Sequence, residues 1–98
     1  MVGVLHILET EHLAVGATAE NIPARSEPWT ARIVTTSPMY VLVGDENDPP
    51  TATADDFPVM EYQETYLAIP AGHEISIIGD GEDTDDDVWV SRVRVSAY

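Results

Sequence analysis

Residues 65–78 read TYLAIPAGHEISII, and this stretch decides the fold. Two β-rich runs flank the short connection Pro70-Ala71-Gly72-His73. Proline presets a turn-compatible φ and glycine accepts a positive φ, so the pattern is typical of a β-hairpin. Apolar side chains take alternate positions in both runs, which predicts one buried face. These apolar side chains are Leu67, Ile69, Ile75 and Ile77.

Runs of similar character recur along the chain with turn-forming residues between them. Their spacing predicts an all-β fold, a small antiparallel β-sandwich or barrel of about seven strands. Residues 1–98 then form a single β domain, with residues 1–10 either a strand or an extended arm. The segments expected to form strands are 4–8, 11–15, 29–36, 39–43, 65–69, 74–78 and 88–96.

Helical periodicity is absent, and only residues 53–57 carry a helix-start signal. Thr53 stands three residues ahead of the Asp56 carboxylate, as in a capping box, and Pro58 follows. We therefore expect at most one helical turn near Thr53 and Phe57, with Phe57 packed into the edge of the sandwich.

Composition limits the chemistry available to the chain. Cysteine is absent, which excludes disulfides, thiolate metal sites and a cysteine nucleophile. No basic start followed by an apolar run and no long apolar segment is present, so we expect neither a signal peptide nor a membrane span. The search for nucleotide-binding, metalloprotease and serine-hydrolase motifs finds none, and we expect no catalytic residue, no cofactor and no enzyme activity.

The charge balance is the most unusual property of the chain. It has 18 acidic residues, four arginines and no lysine, for a formal charge of −14. One interpretation is an acidic domain partly neutralised by a basic partner. The other, which we favour, is a halophilic protein, because in molar salt the Debye length falls to about 3 Å and self-repulsion is screened. Under both interpretations nucleic-acid binding is disfavoured, since no basic patch meets the phosphates.

Three groups of residues could be taken for metal or acid–base sites. His6 and His12 lack a third ligand nearby, and Asp55 and Asp56 lack a neighbour that would raise a pKa. The acidic loop 79–87 departs from the EF-hand pattern and is most simply a hydrated loop. We predict no metal site. The weak cation candidates in that loop are Asp80, Asp83, Asp85 and Asp87.

The last strand places two arginines on one side, because Arg92 and Arg94 alternate with Val93. They either pair with cross-strand glutamates or contact another subunit, since arginine forms directional pairs that tolerate desolvation. Aromatic residues and arginine commonly anchor interfaces. The residues predicted to contact partners are Val4, Leu5, Ile7, Trp29, Arg32, Arg92 and Arg94.

The order of features from about Trp29 to Val95 resembles small virion proteins of tailed viruses. The matching patterns are Tyr40-Val41-Leu42-Val43-Gly44-Asp45, Pro50-Thr51-Ala52-Thr53-Ala54, Tyr66-Leu67-Ala68-Ile69-Pro70-Ala71-Gly72 and Val88-Trp89-Val90-Ser91. The resemblance implies a structural role, in which β-sandwich proteins decorate, cement or bridge capsid or tail subunits. With the acidic, lysine-free composition, it suggests a virus of a salt-loving archaeon.

The resemblance therefore leads us to expect a capsid decoration or cement protein on the virion surface. It would bind the major capsid protein or other virion subunits as a homo-oligomer, with a trimer the favoured state. A tail, baseplate or head–tail joining component is one alternative. A carbohydrate-binding module is another, and it requires both tryptophans and two or more tyrosines on one exposed face. A calcium-binding β domain is the third.

Overall fold

The computed structural model describes residues 3–80 and 85–97, which form eight strands and no helix. The predicted all-β class is confirmed. No helix in this part of the chain is long and apolar enough to cross a membrane. The strands are β1 (Gly3–Val15), β2 (Glu20–Ile22), β3 (Trp29–Thr35), β4 (Met39–Asp45), β5 (Phe57–Val59), β6 (Thr65–Ile69), β7 (His73–Ile78) and β8 (Asp86–Ala97).

Two four-stranded antiparallel sheets pack face to face as a β-sandwich. Sheet A has the order β1-β8-β3-β6, and sheet B has the order β2-β7-β4-β5. The shortest dimension of the molecule is 20 Å, which fits two sheets whose backbones lie about 10 Å apart. The first and last strands are neighbours in sheet A, where β1 pairs with β8 from Gly3 to Val15.

The hairpin predicted for residues 65–78 is wrong, because β6 belongs to sheet A and β7 to sheet B. The turn itself forms: the His73 amide donates to the Pro70 carbonyl at 3.2 Å, and Gly72 has a φ of 76°. It carries the chain from one sheet to the other. The amide of Gly72 donates to Arg25 and its carbonyl accepts from Glu46, so neighbouring segments fix the turn at the end of the sandwich.

The predicted burial of the alternate apolar positions is confirmed for the same segment. Ile69, Ile75 and Ile77 are fully buried, and Leu67 is packed against the core. The inward faces of both sheets supply this core, and burial of each large aliphatic side chain contributes about 1.5–3 kcal/mol. The core residues are Val15, Ile22, Trp29, Ala31, Ile33, Met39, Val41, Val59, Ile69, Ile75, Ile77, Val88 and Val90.

Residues 53–56 form a turn without a helix. The amide of Asp56 donates to the Thr53 carbonyl, while both the amide and the hydroxyl of Thr53 donate to the Asp56 carboxylate. One of the two capping-box hydrogen bonds, from the Thr53 amide to the Asp56 carboxylate, is therefore present, but β5 begins at the next residue, Phe57. The expected packing of Phe57 is wrong, since 56% of its surface is exposed.

The loop between β4 and β5 lies over the outer face of sheet B. We call residues 50–52 the strap. The Pro50 carbonyl accepts a hydrogen bond from Asn21 Nδ2 at 3.0 Å, and the Ala52 amide donates to Ser76 Oγ at 2.8 Å. Pro50 and Ala52 are buried as a result. A loop segment thus covers the middle of sheet B from outside.

Candidate interaction surface

Within residues 3–80 and 85–97, no segment is hydrogen-bonded across the outer face of sheet A in this way. Strand residues alternate between faces, and the inward positions of β3 are marked by buried Ala31 and Ile33. The paired registers then assign the outward positions on the other three strands. Among the residues whose side chains the structure describes, this face carries Leu5, Ile7, Thr10, His12, Ala14, Thr30, Arg32, Val34, Tyr66, Ala68, Asp87, Trp89, Ser91 and Val93.

An aromatic stack stands on this face between β1 and β8. The rings of His12 and Trp89 are 5.2 Å apart between centroids and inclined by 22°. Their positions oppose each other directly in the strand pairing. His12 Nε2 also lies 2.7 Å from Asp87 Oδ1, two positions along the same side of β8. The stack fixes the Trp89 ring, which remains 37% exposed.

A second polar group lies beside it, between β3 and β6. Arg32 donates to Glu64 at 2.7 Å, and the Tyr66 hydroxyl donates to the other oxygen of the same carboxylate at 2.8 Å. Hydrogen bonds from Arg32 and then Tyr66 lower the pKa of Glu64 from its ordinary value. Because the Tyr66 hydroxyl donates a hydrogen bond to the Glu64 carboxylate, the pKa of that hydroxyl is raised.

Few charges occur on this face, although the whole chain has a formal charge of −14. Its described strand positions contain one aspartate and one arginine, and each has a polar partner within the chain. Asp87 contacts His12, and Arg32 contacts Glu64. Acidic residues of the described chain concentrate in the loops and along the edges instead, and this distribution leaves one broad face nearly neutral.

At one end of sheet A, β1 and β8 continue beyond β3. The pairing of β8 with β3 starts at Val93, whereas its pairing with β1 extends to Ala97. We call residues 3–7 with 93–97 the ribbon. The molecule is 46 Å long, close to the roughly 43 Å of a 13-residue strand. The segment for which the sequence allows an arm thus lies in β1, apart from residues 1 and 2, which fall outside the described residues.

Large apolar side chains are exposed on and beside the ribbon. Leu5 is 38% exposed and Ile7 is 55% exposed. Leu8, the extra residue of a β-bulge between Ile7 and Glu9, is 40% exposed. Val4 is half-buried, and Arg94 is exposed opposite His6. Exposed aliphatic side chains on a two-stranded projection form a surface that a neighbouring protein can cover.

The other predicted contact residues lie in different surroundings. Trp29 is 9% exposed and belongs to the core, with the Arg25 guanidinium 4.9 Å above its ring. Arg92 forms an ion pair with a glutamate on the neighbouring strand, and its Nε lies 2.9 Å from Glu9 Oε1. Arg25 contacts the same oxygen at 2.6 Å, and hydrogen bonds from Arg25 and then Arg92 lower the pKa of Glu9.

Of this Arg25–Glu9–Arg92 cluster, the sequence predicted only that Arg92 could pair with a cross-strand glutamate. Glu9 and Arg92 lie 83 positions apart, and their contact follows from the β1–β8 register. A cavity of about 240 Å³ beside the cluster is lined by Glu11, Ile22, Trp29 and other neighbours. Arg25 and Arg92 are therefore both paired with Glu9 of the same chain.

The candidate metal residues do not converge in the described structure. No group of three or more histidine and acidic residues there is arranged to hold a metal ion. His6 pairs with Arg94 and His12 with Trp89, which places the two histidines on opposite faces of sheet A. Asp87 contacts His12, Asp80 and Asp85 are exposed, and Asp83 lies outside the described residues.

The chain matches no protein-family model, no curated protein and no solved structure.

Proposed function

We propose that this protein is a structural protein of a virion, a capsid decoration or cement protein that binds neighbouring subunits through the ribbon. The observation that carries the contact is the exposure of Leu5, Ile7 and Leu8 on a projecting pair of strands. The virion setting is supported by the resemblance of the strand and turn patterns to small virion proteins of tailed viruses. A tail or head–tail joining role uses the same contact.

Exposed apolar side chains on the ribbon favour binding to a protein surface. Covering a leucine or isoleucine side chain from water contributes up to about 1.5–3 kcal/mol. The backbone of the ribbon is already paired by the β1–β8 ladder, so little chain entropy is lost when a neighbour covers it. A preorganised apolar projection is therefore suited to insertion between two subunits.

The carbohydrate-binding alternative requires an aromatic face that this fold does not form as expected. Trp29 is an inward residue of β3, whereas Trp89 lies on the outer face of sheet A. The two indoles are on opposite sides of the same sheet, so they do not provide one platform for sugar stacking.

Retention on virus particles tests the proposal. The triple variant Leu5→Ser, Ile7→Ser and Leu8→Ser removes the apolar surface at the ribbon. The matched control, Leu42→Ser, Phe57→Ser and Met60→Ser, removes side chains of similar exposure away from sheet A. We expect the ribbon variant to be lost from washed particles and the control to be retained at the wild-type copy number, measured by quantitative mass spectrometry.

Two outcomes contradict the proposal. Absence of the wild-type chain from purified particles removes the virion assignment. Equal retention of the ribbon variant and the control removes the ribbon as the contact. Circular dichroism of each purified variant at the salt concentration of the particles separates loss of binding from loss of folding.

A high-salt environment belongs to the same proposal and has its own test. The charge of −14 disfavours the compact state when screening is weak. We expect the denaturation midpoint to rise steeply between 0.1 M and about 3 M KCl, as the Debye length falls from about 10 Å to below 3 Å. A midpoint that is independent of KCl contradicts this part.

A further inference from the structure

We propose that the outer face of sheet A is a self-association surface, on which a second copy of this chain packs face to face to form a two-fold symmetric dimer. The proposal does not depend on the virion setting, because it rests on the chemistry of this face alone. Its observations are a sheet face that no described segment crosses, a preordered aromatic side chain and a low local charge.

Side chains on this face are already packed against one another. Ser91 is 2% exposed and Val93 is 5% exposed, although both point away from the sandwich core. The Ser91 hydroxyl is hydrogen-bonded to Thr10 at 2.9 Å. Trp89 is held by its stack on His12. A surface whose side chains are ordered before binding loses less entropy on association.

The composition of the face matches that of interface centres. These are depleted in charged residues and enriched in tryptophan, tyrosine and arginine. Here Trp89, Tyr66 and Arg32 lie on three different strands of one sheet, and the charged groups are paired within the chain. Burial of the Arg32–Glu64 pair under a partner leaves neither of these charges isolated, and an isolated buried charge would be costly.

Charge also identifies the occupant. A basic partner would be attracted to the acidic loops and edges, where the negative charge of the chain is concentrated, rather than to a neutral face. A second copy has the same neutral face, so the two −14 chains can approach here without opposing their acidic surfaces. The contact is isologous, in which one patch meets itself across a two-fold axis, and it closes as a dimer instead of the trimer that the resemblance leads us to expect.

The size of the face is adequate for a dimer. The lengths of β1, β8, β3 and β6, with the usual rise per residue and strand spacing, give sheet A a flat projected area of about 570 Å². Side-chain relief raises the accessible area above the plan area, toward the roughly 800 Å² that each partner buries in a standard interface. Two sheets can then stack about 10 Å apart, as they do within each molecule.

Sedimentation velocity of the purified full chain, over a protein concentration series at 0.1, 0.5 and 2 M KCl, tests this inference. We expect a monomer–dimer equilibrium that strengthens with salt, because screening reduces the long-range repulsion between copies. Trp89→Ser should raise the dimer dissociation constant about 30-fold or more, since a central tryptophan acts as an interface hot spot.

Leu42→Ser is the matched control for this substitution. Leu42 is 36% exposed against 37% for Trp89, and it lies on the outer face of sheet B. We expect its dissociation constant to stay within about twofold of the wild type, as for a residue outside an interface.

A second pair of variants keeps the test valid if Trp89→Ser unfolds. Thr30→Glu places a carboxylate at an exposed position of the outer face of sheet A, and Thr18→Glu places one in the exposed connection between β1 and β2. Thr30→Glu should abolish the dimer, and Thr18→Glu should leave it intact.

The proposal is overturned by a wild-type chain that stays monomeric at every salt concentration. It is equally overturned if Thr30→Glu dimerises like the wild type, or if the Leu42→Ser control loses the dimer while folded Trp89→Ser keeps it. If the ribbon variant is lost from particles but still dimerises, the result supports the ribbon as the virion contact and leaves the dimer proposal unaffected. If the wild-type chain is absent from particles, the virion assignment fails and the dimer proposal is again unaffected.

Discussion

The two outer faces of the sandwich are built on similar central strands but are completed differently. Each has a buried serine on a central strand: Ser76 on β7 of sheet B and Ser91 on β8 of sheet A. Ser76 accepts a hydrogen bond from the backbone of the strap, whereas Ser91 is bonded to the exposed side chain of Thr10. Sheet B is thus covered by its own chain, and sheet A is left open.

The difference shows where this chain uses its loops. The connection between β4 and β5 is long enough to cross sheet B, and Asn21 anchors it by a hydrogen bond to Pro50. No described loop is hydrogen-bonded across the outer face of sheet A in this way; its polar groups pair among themselves instead. Arg32 Nε on this face has no hydrogen-bond partner, but the polar groups that are already paired within the chain can be buried by another molecule without losing their partners.

The largest expected effect on this comparison comes from displacing the strap. A Cβ at Gly44 would lie 2.9 Å from the Pro50 Cβ, closer than van der Waals contact allows. Gly44→Ala should therefore destabilise the protein by about 1–3 kcal/mol, the usual cost of overpacking. Denaturant unfolding in molar KCl measures it.

Two controls sharpen this prediction. In a Pro50→Gly background the same substitution should cost much less, because the opposing ring is gone. Ala68→Val, on the exposed outer face of sheet A, should change stability by no more than about 0.5 kcal/mol. If Gly44→Ala costs as much with glycine at 50 as with proline, the strap does not press on β4.

The next expected effect is the difference in stability between variants of the two serines, which is smaller than the cost of Ser76→Ala alone. Ser76→Ala leaves the Ala52 amide without its acceptor at a position that is 1% exposed, and an unsatisfied buried donor costs about 1–3 kcal/mol. Ser91→Ala should cost less than about 1 kcal/mol, because the Thr10 hydroxyl is exposed and can bind water instead. Denaturant unfolding measures both variants. Equal decreases in the free energy of unfolding would contradict the expected difference between the hydrogen bond from the strap and the hydrogen bond to Thr10.

The sequence predicted which side chains are buried better than it predicted which strands pair. Alternation is a local property, so Ile69, Ile75 and Ile77 could be assigned to the core from their spacing. Pairing of β6 with β3, and of β7 with β2 and β4, joins segments that are distant in sequence. A turn signal at residues 70–73 is the same for a hairpin and for a crossing between sheets.

The same distinction applies to the candidate surface. Arg92 and Arg94 were correctly placed on one side of β8 by alternation, opposite Trp89. A cross-strand glutamate as the partner of Arg92 was one of the two predicted alternatives, but its identity as Glu9 depends on the β1–β8 register, and Arg25 reaches Glu9 from a loop. The strap was also missed, since nothing in the pattern of residues 50–52 indicates which sheet face they cross.

The smallest expected effect concerns the charge pair on the open face. The pKa of Glu64 is lowered by Arg32 and Tyr66, so its contribution to stability is fully present above the unfolded value of about 4.3 and is lost as the pH falls through the folded value. Glu64→Gln should therefore lower the denaturation midpoint at pH 7, and its difference from the wild type should shrink as the pH falls below about 4.3.

Glu61→Gln is the control that isolates the sign. Glu61 is exposed and has no hydrogen bond or ion pair within the described residues. Removing its charge from a chain of formal charge −14 should leave the pH 7 midpoint unchanged or raise it, since repulsion decreases. Opposite signs for the two variants at pH 7 would show that Glu64 is held by its neighbours on sheet A. If both raise the midpoint, repulsion outweighs the Arg32 pair, and this face does not neutralise its own charges.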